Sequence, residues 1–69
     1  MKLSARNIIK GKVKQIIPGA VNSEVILVTT GGETIVSVIT KESVESLGLK
    51  VGKEAYAVIK ASNVMIAVD

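Results

Sequence analysis

The sequence predicts one all-β domain, residues 1–69, made of five strands with one short helix between strands three and four. Three observations support this prediction. β-branched residues dominate the 69-residue chain, the apolar residues fall into runs of strand length, and turn-forming residues separate these runs. The separating residues are Pro18-Gly19, Gly31-Gly32, Gly48 and Gly52.

The first strand is predicted from about Ser4 to Ile17. Because successive side chains of a strand point to opposite faces, its residues divide into an apolar and a basic set. The apolar face carries Ile9, Gly11 and Val13, and the basic face carries Lys10, Lys12 and Lys14. A strand of this length has to bend in a small domain, and Gly11 is the predicted position of a bulge or kink.

The second strand is predicted from about Val21 to Thr30 and the third from about Glu33 to Thr40, with Gly31-Gly32 as a two-residue hairpin turn. The second strand is apolar on both faces. One face carries Val21, Ser23, Val25 and Leu27, and the other carries Asn22, Glu24, Ile26 and Val28. A barrel wall with one face in water would be polar on that face, so we expect a neighbouring subunit to cover the second face.

The segment from Thr40 to Gly48 predicts the helix, with Thr40 as the N-terminal cap and Gly48 at the C-terminal cap. Its Val44 and Leu47 are expected to face the core. Strand four is predicted from Glu54 to Ala61 and strand five from about Asn63 to Val68. Five strands with a helix after the third predict a Greek-key barrel of the oligonucleotide/oligosaccharide-binding (OB) type.

Composition limits the possible functions. The chain has neither His nor Cys, so it lacks the commonest general base, the commonest zinc ligand and any disulfide, and its scattered carboxylates form no catalytic pair. We therefore expect no enzyme, no directly ligated metal and no cofactor. No apolar run reaches the length of a membrane span or a signal peptide, which predicts a cytoplasmic protein without a membrane partner. A chain this short is marginally stable alone, which favours oligomerisation.

Two short polar clusters are the strongest functional feature of the sequence. They are Ser4-Ala5-Arg6-Asn7 and Lys60-Ala61-Ser62. Each combines a fixed cation with a hydroxyl and contains no carboxylate, and such donors hold small anions through charge-assisted hydrogen bonds. Each cluster is also compatible with an ordinary strand edge or turn, and spacing along the sequence alone does not bring them together.

The alternative function is a small nucleic-acid-binding OB module. The net charge of +3 is modest, but Lys10, Lys12 and Lys14 would form a basic stripe on one strand. OB modules stack bases on aromatic side chains, and the only aromatic residue is Tyr56. A solvated lysine face is therefore the better interpretation, and we expect no nucleic-acid partner.

The two clusters also carry a family resemblance. Ser4-Ala5-Arg6-Asn7 is similar to the N-terminal signature of the molbindins, small cytoplasmic molybdate-binding proteins, and Lys60-Ala61-Ser62 is similar to their C-terminal one. The segment from Pro18 to Val25 resembles their first loop, so the resemblance covers the whole chain. Ile8 stands where the family often has Gln.

The resemblance implies a homohexamer, a trimer of dimers, that binds molybdate or tungstate between subunits for intracellular storage and molybdenum homeostasis. The oxyanion would be held by Ser4, Arg6, Asn7, Lys60, Ala61 and Ser62 together with backbone N–H groups. A second class of site near a threefold axis would use residues of the first loop and the start of the helix. Its candidates are Gly19, Ala20, Val21, Asn22, Thr40 and Ser43.

Overall fold

The computed structural model describes all residues, 1–69. It contains four strands: β1 (Asn7–Pro18), β2 (Asn22–Thr29), β3 (Thr34–Thr40) and β4 (Glu54–Ile59). Helix α1 (Lys41–Ser46) lies between β3 and β4, and a 3-10 turn, Ala61–Asn63, follows β4. The strands form one curled antiparallel sheet in the order β3-β2-β1-β4. The mostly β class and the place of the helix are confirmed, whereas the predicted count of five strands is wrong.

Strand β1 is long enough to pair with two neighbours. Its first half, Asn7–Lys12, pairs with β4, and its second half, from Gly11 onward, pairs with β2. A bulge interrupts the register between Val13 and Gln15, so the predicted bulge at Gly11 is misplaced by a few residues. Gly11 instead lies where β1 is paired on both sides, opposite Thr29 and Ala55.

Gly11 is required there because the neighbouring backbone is close. A Cβ atom at this position would lie 2.7 Å from the carbonyl oxygen of Val28, and a paired strand has little freedom to move away. We expect Gly11→Ala to lower the free energy of unfolding by about 1–3 kcal/mol, the usual cost of overpacking. Urea unfolding measures this loss. Gly31→Ala is the matched control, because its Cβ would meet only the flexible Glu33 side chain; equal losses in both variants would contradict the explanation.

The β2–β3 hairpin is confirmed, but its turn is longer than predicted. Four residues, Thr30–Glu33, connect the strands. The Gly32 N–H donates to the Thr29 carbonyl at 3.0 Å, and the Thr29 N–H donates to the Glu33 carbonyl at 2.8 Å. Gly32 has φ +92°, a conformation that favours glycine. The glycine pair therefore locates the turn correctly, although the turn also includes Thr30 and Glu33.

Helix α1 has well-defined ends. The Thr40 Oγ1 accepts the Ser43 N–H at 3.1 Å as N-terminal cap. At the other end Gly48 has φ +62°, its N–H donates to the Glu45 carbonyl, and the Leu49 N–H donates to the Val44 carbonyl, a Schellman motif. This reversal directs Leu49 and Val44 against the core. No helix in the structure has the length and apolar character that crossing a membrane requires.

The predicted core position of Leu47 is wrong. Leu47 is the C-terminal cap residue of α1 and is 59% exposed, because the chain has already turned away from the sheet when it reaches this position. The buried core consists of Val13, Val25 and Leu27, with the buried Ser23 beside it. These residues lie on the apolar faces predicted for β1 and β2, but Ile9 of β1 is 38% exposed and Val21, just before β2, is 73% exposed.

The predicted fifth strand is also wrong. Residues Ala61–Asn63 form the 3-10 turn, and residues 64–69 belong to no helix or strand. The apolar pattern of these residues suits a strand, but a strand requires a hydrogen-bonded neighbour, and no strand of the same chain pairs with them. Consequently β3 and β4 are the two unpaired edges of the sheet.

Candidate oxyanion-binding site

The pairing of β1 with β4 brings the two polar clusters together. Asn7, at the start of β1, lies opposite Ile59, at the end of β4, so the residues just before Asn7 and just after Ile59 meet at the same corner of the sheet. There they form a cleft of about 520 Å³. It is lined by Ser4, Ala5, Arg6, Val58, Lys60, Ala61, Ser62 and Asn63.

The lining of this cleft is rich in hydrogen-bond donors. Arg6 and Lys60 each bring a positive charge, and Ser4 and Ser62 each bring a hydroxyl. No Asp or Glu lies among the lining residues, and the ion pair in the structure, Lys10 with Glu54, involves neither cation. Both charges are therefore free to bind an anion from solution.

The 3-10 turn adds backbone donors to one wall of the cleft. The turn is closed by the Asn63 N–H donating to the Lys60 carbonyl at 2.9 Å and by the Val64 N–H donating to the Ala61 carbonyl at 3.2 Å. The first N–H groups of a helical turn have no partner inside it, so those of Ala61 and Ser62 are available beside the two side-chain hydroxyls. Lys60 precedes the turn in extended conformation, with φ −61° and ψ 132°.

Asn7 has a different position from the other predicted ligands. Its Nδ2 donates to the Ile59 carbonyl at 3.2 Å, and it does not line the cleft. This bond ties the start of β1 to the end of β4. Asn7 thus fixes the corner on which Arg6 and Lys60 meet.

The second set of predicted ligands gathers at another corner. Asn22 lies opposite Thr40 in the β2–β3 register, and the Lys41 N–H donates to the Val21 carbonyl at 2.9 Å, so the loop carrying Gly19 and Ala20 lies next to the start of α1. The hydroxyls of Thr40 and Ser43 lie 2.8 Å apart and bond to each other. They already serve the helix cap, and a second oxyanion site at this corner stays a prediction.

The predicted lysine stripe lies on the exposed face of β1. Lys10 forms an ion pair with Glu54, Nζ to Oε1 at 3.3 Å, and lines a smaller cleft of about 290 Å³ with Lys12 and Thr29. The ion pair neutralises part of the basic surface. Nucleic-acid binding by this stripe stays a prediction.

Sequence reasoning missed three residues of the cleft. Ala5 separates the two polar residues Ser4 and Arg6, and Asn63 directly follows Ser62, so chain proximity was a signal for both. Val58 gives no such signal, because only the pairing of β4 with β1 places it beside Arg6.

Comparison with known proteins shows which family the chain resembles along most of its length. The family described as TOBE domain matches residues 3–66. The chain is 49% identical over 69 residues to a probable molybdenum-pterin-binding protein of Haemophilus influenzae, covering 100% of both chains. It is 48% identical over 66 residues to molybdenum-pterin-binding protein 3 of Clostridium pasteurianum, covering 96% of this chain and 97% of the relative.

Solved structures show the same fold. MopII from Clostridium pasteurianum superposes with a TM-score of 0.92 at 48% identity, over 97% of this chain and 100% of its own. The cytoplasmic molybdate-binding protein ModG, with molybdate bound, gives 0.91 at 60% identity, over 94% of this chain and 46% of its own. A molybdate-binding protein from Sporomusa ovata gives 0.93 at 32% identity, over 99% of this chain and 100% of its own. The chain therefore belongs to the molbindin family, the TOBE-domain proteins named molybdenum-pterin-binding proteins.

Proposed function

We propose that the chain binds molybdate or tungstate as a dianion in the cleft between Ser4–Arg6 and Lys60–Asn63. The observation that carries the proposal is the meeting of two cations and two hydroxyls in a cleft without a carboxylate. Arg6 offers a planar fork that contacts two oxygens at once, and Lys60 offers a compact charge. The named functions of the relatives support the same ligand.

The absence of carboxylates from the lining explains how the cleft selects among anions. Molybdate and tungstate are fully ionised at neutral pH and present acceptors only. Hydrogen phosphate carries a hydroxyl, the cleft has no carboxylate to accept its proton, and a polar group left unsatisfied costs about 1–3 kcal/mol. Phosphate should therefore bind roughly 5- to 150-fold more weakly than molybdate.

Sulfate is a closer competitor because it has the same charge and tetrahedral shape. It is smaller, so rejecting it requires donors that are held too far apart to close around it. The β1–β4 pairing, which ends beside the cleft at Asn7 and Ile59, and the Asn7 bond to the Ile59 carbonyl hold the donors in place, which is the preorganisation that such selectivity needs. Molybdate and tungstate are nearly equal in size, and we expect little discrimination between them.

The proposal includes a homo-oligomer, a hexamer built as a trimer of dimers, with the clefts at subunit interfaces. Only 5 of 69 residues are buried in one chain, and the apolar Val36 and Val38 of β3 are 57% and 65% exposed. Covering such residues favours association. With no chemical change to the anion, the role is storage and homeostasis of molybdenum in the cytoplasm, the compartment named for ModG.

Calorimetric titration of the intact chain tests the proposal. We expect saturable heat with molybdate and with tungstate at micromolar protein, and weaker binding of sulfate and phosphate under the same conditions. Absence of saturable heat with both molybdate and tungstate would refute the function. Equal affinity for phosphate and molybdate would refute the explanation of selectivity by a lining without carboxylates.

A further inference from the structure

Asn63 lines the oxyanion cleft but belongs to neither of the two polar clusters that stand out in the sequence. It is the last residue of the 3-10 turn, and its N–H donates to the Lys60 carbonyl at 2.9 Å. This bond fixes the backbone of Asn63 relative to that of Lys60, whose ammonium group is a proposed ligand of the anion. The position of Asn63 in the cleft is therefore set by the same turn that follows the cation.

The side chain of Asn63 has no partner within the chain. It is exposed, and no side-chain hydrogen bond of the structure involves it. Asn7, by contrast, uses its Nδ2 to hold the Ile59 carbonyl at 3.2 Å. The amide of Asn63 thus keeps its N–H groups and its carbonyl oxygen available for a ligand in the cleft.

Asn63 also differs chemically from the other polar side chains of the cleft. Arg6 and Lys60 only donate hydrogen bonds, and the hydroxyls of Ser4 and Ser62 each have one proton to donate. The amide of Asn63 is neutral and combines two donor hydrogens on Nδ2 with an acceptor, Oδ1. Replacing this amide by a carboxylate of the same shape would exchange both donors for a charged acceptor.

We propose that Asn63 is a ligand and a specificity-determining residue of the oxyanion cleft. Its Nδ2 donates to an oxygen of the bound dianion, and its lack of charge keeps the cleft selective for anions that carry no proton. A carboxylate at this position would repel every dianion, but it would accept the proton of hydrogen phosphate in a charge-assisted bond, which is about twice as strong as a neutral one. The inference rests on the proposed function and assigns part of its anion selectivity to one residue.

Sulfate and phosphate are suitable probes of this role. At slightly alkaline pH both are tetrahedral dianions of similar size, and only hydrogen phosphate carries a proton. Because an added carboxylate repels both dianions alike, the ratio of the Kd for hydrogen phosphate to the Kd for sulfate reports the difference in hydrogen bonding. Both Kd values are measured by calorimetric displacement of molybdate from the intact chain.

The variants are Asn63→Asp, Asn63→Ala and the matched control Gln15→Glu. The control also replaces an amide by a carboxylate, at an exposed position of β1 outside the cleft. Thermal unfolding checks that each variant folds, and the wild-type midpoint is expected in all three because the changed side chains are exposed and form no hydrogen bond within the chain.

In Asn63→Asp we expect the preference for sulfate over hydrogen phosphate to fall by about 10-fold or more, the effect of one charge-assisted hydrogen bond. Asn63→Ala should raise the Kd for molybdate by about 2- to 12-fold, the effect of losing one neutral hydrogen bond. Gln15→Glu should keep the wild-type preference between sulfate and hydrogen phosphate.

Three results would overturn the role of Asn63 while leaving the proposed function in place. They are a wild-type sulfate preference in Asn63→Asp, a wild-type molybdate affinity in Asn63→Ala, and an equal fall in sulfate preference in Gln15→Glu. A wild-type chain that binds neither molybdate nor tungstate would refute the function and the role of Asn63 together.

Discussion

Replacing Arg6 with Ala is expected to raise the Kd for molybdate by about 10- to 150-fold for each charge-assisted hydrogen bond lost, since such bonds contribute about 1.5–3 kcal/mol each. Arg6 lies in the cleft with Lys60 and forms no salt bridge within the chain, so its guanidinium is free for the anion. Titration calorimetry of wild type and variant at the same ionic strength measures the change.

Two further variants test whether the loss of molybdate affinity depends on where the charge lies and on the shape of the guanidinium group. Lys14→Ala removes the same charge from the exposed face of β1, outside the cleft, and should change the affinity little because distant surface charges are screened. Arg6→Lys keeps the charge but loses the planar fork, so an intermediate affinity is expected. All three variants should keep the wild-type unfolding midpoint, since Arg6 and Lys14 are both exposed. Unchanged molybdate affinity in Arg6→Ala would remove Arg6 from the site.

The candidate site residues could be named from the sequence, but their spacing along the chain could not show that they converge. The donors Arg6 and Lys60 stand out because each accompanies a serine and no carboxylate. They lie more than fifty residues apart, and they meet only because Asn7 is paired with Ile59. Such a non-local register depends on the whole sheet, and neither cluster encodes it alone.

Local chemistry also explains which parts of the fold were predictable. Thr40 and Gly48 bracket the helix because a hydroxyl cap and a left-handed glycine act within a few residues. The segment from Asn63 to Val68 has a strand-like composition, but composition does not supply the neighbouring strand that pairing requires. Whether this segment forms a strand is decided by tertiary or quaternary contacts, and the local sequence pattern carries no information about those contacts.

The largest stability effect is expected from Leu27→Ala. Leu27 is 5% exposed and belongs to a core of three buried residues, so truncation should cost about 2–5 kcal/mol. A chain of this length has a total stability of only about 3–10 kcal/mol, and each kcal/mol lowers Tm by about 4–8 °C.

Leu47→Ala is the matched control, because it deletes the same atoms at a site that is 59% exposed. Its effect should stay within about 0.5 kcal/mol. Thermal unfolding of both variants is to be compared at one protein concentration, because association shifts Tm by mass action. The sequence pattern assigns both leucines to the core, whereas the structure buries Leu27 alone. Similar losses of stability in the two variants would therefore favour the sequence pattern over the helix end that the structure places at Ser46.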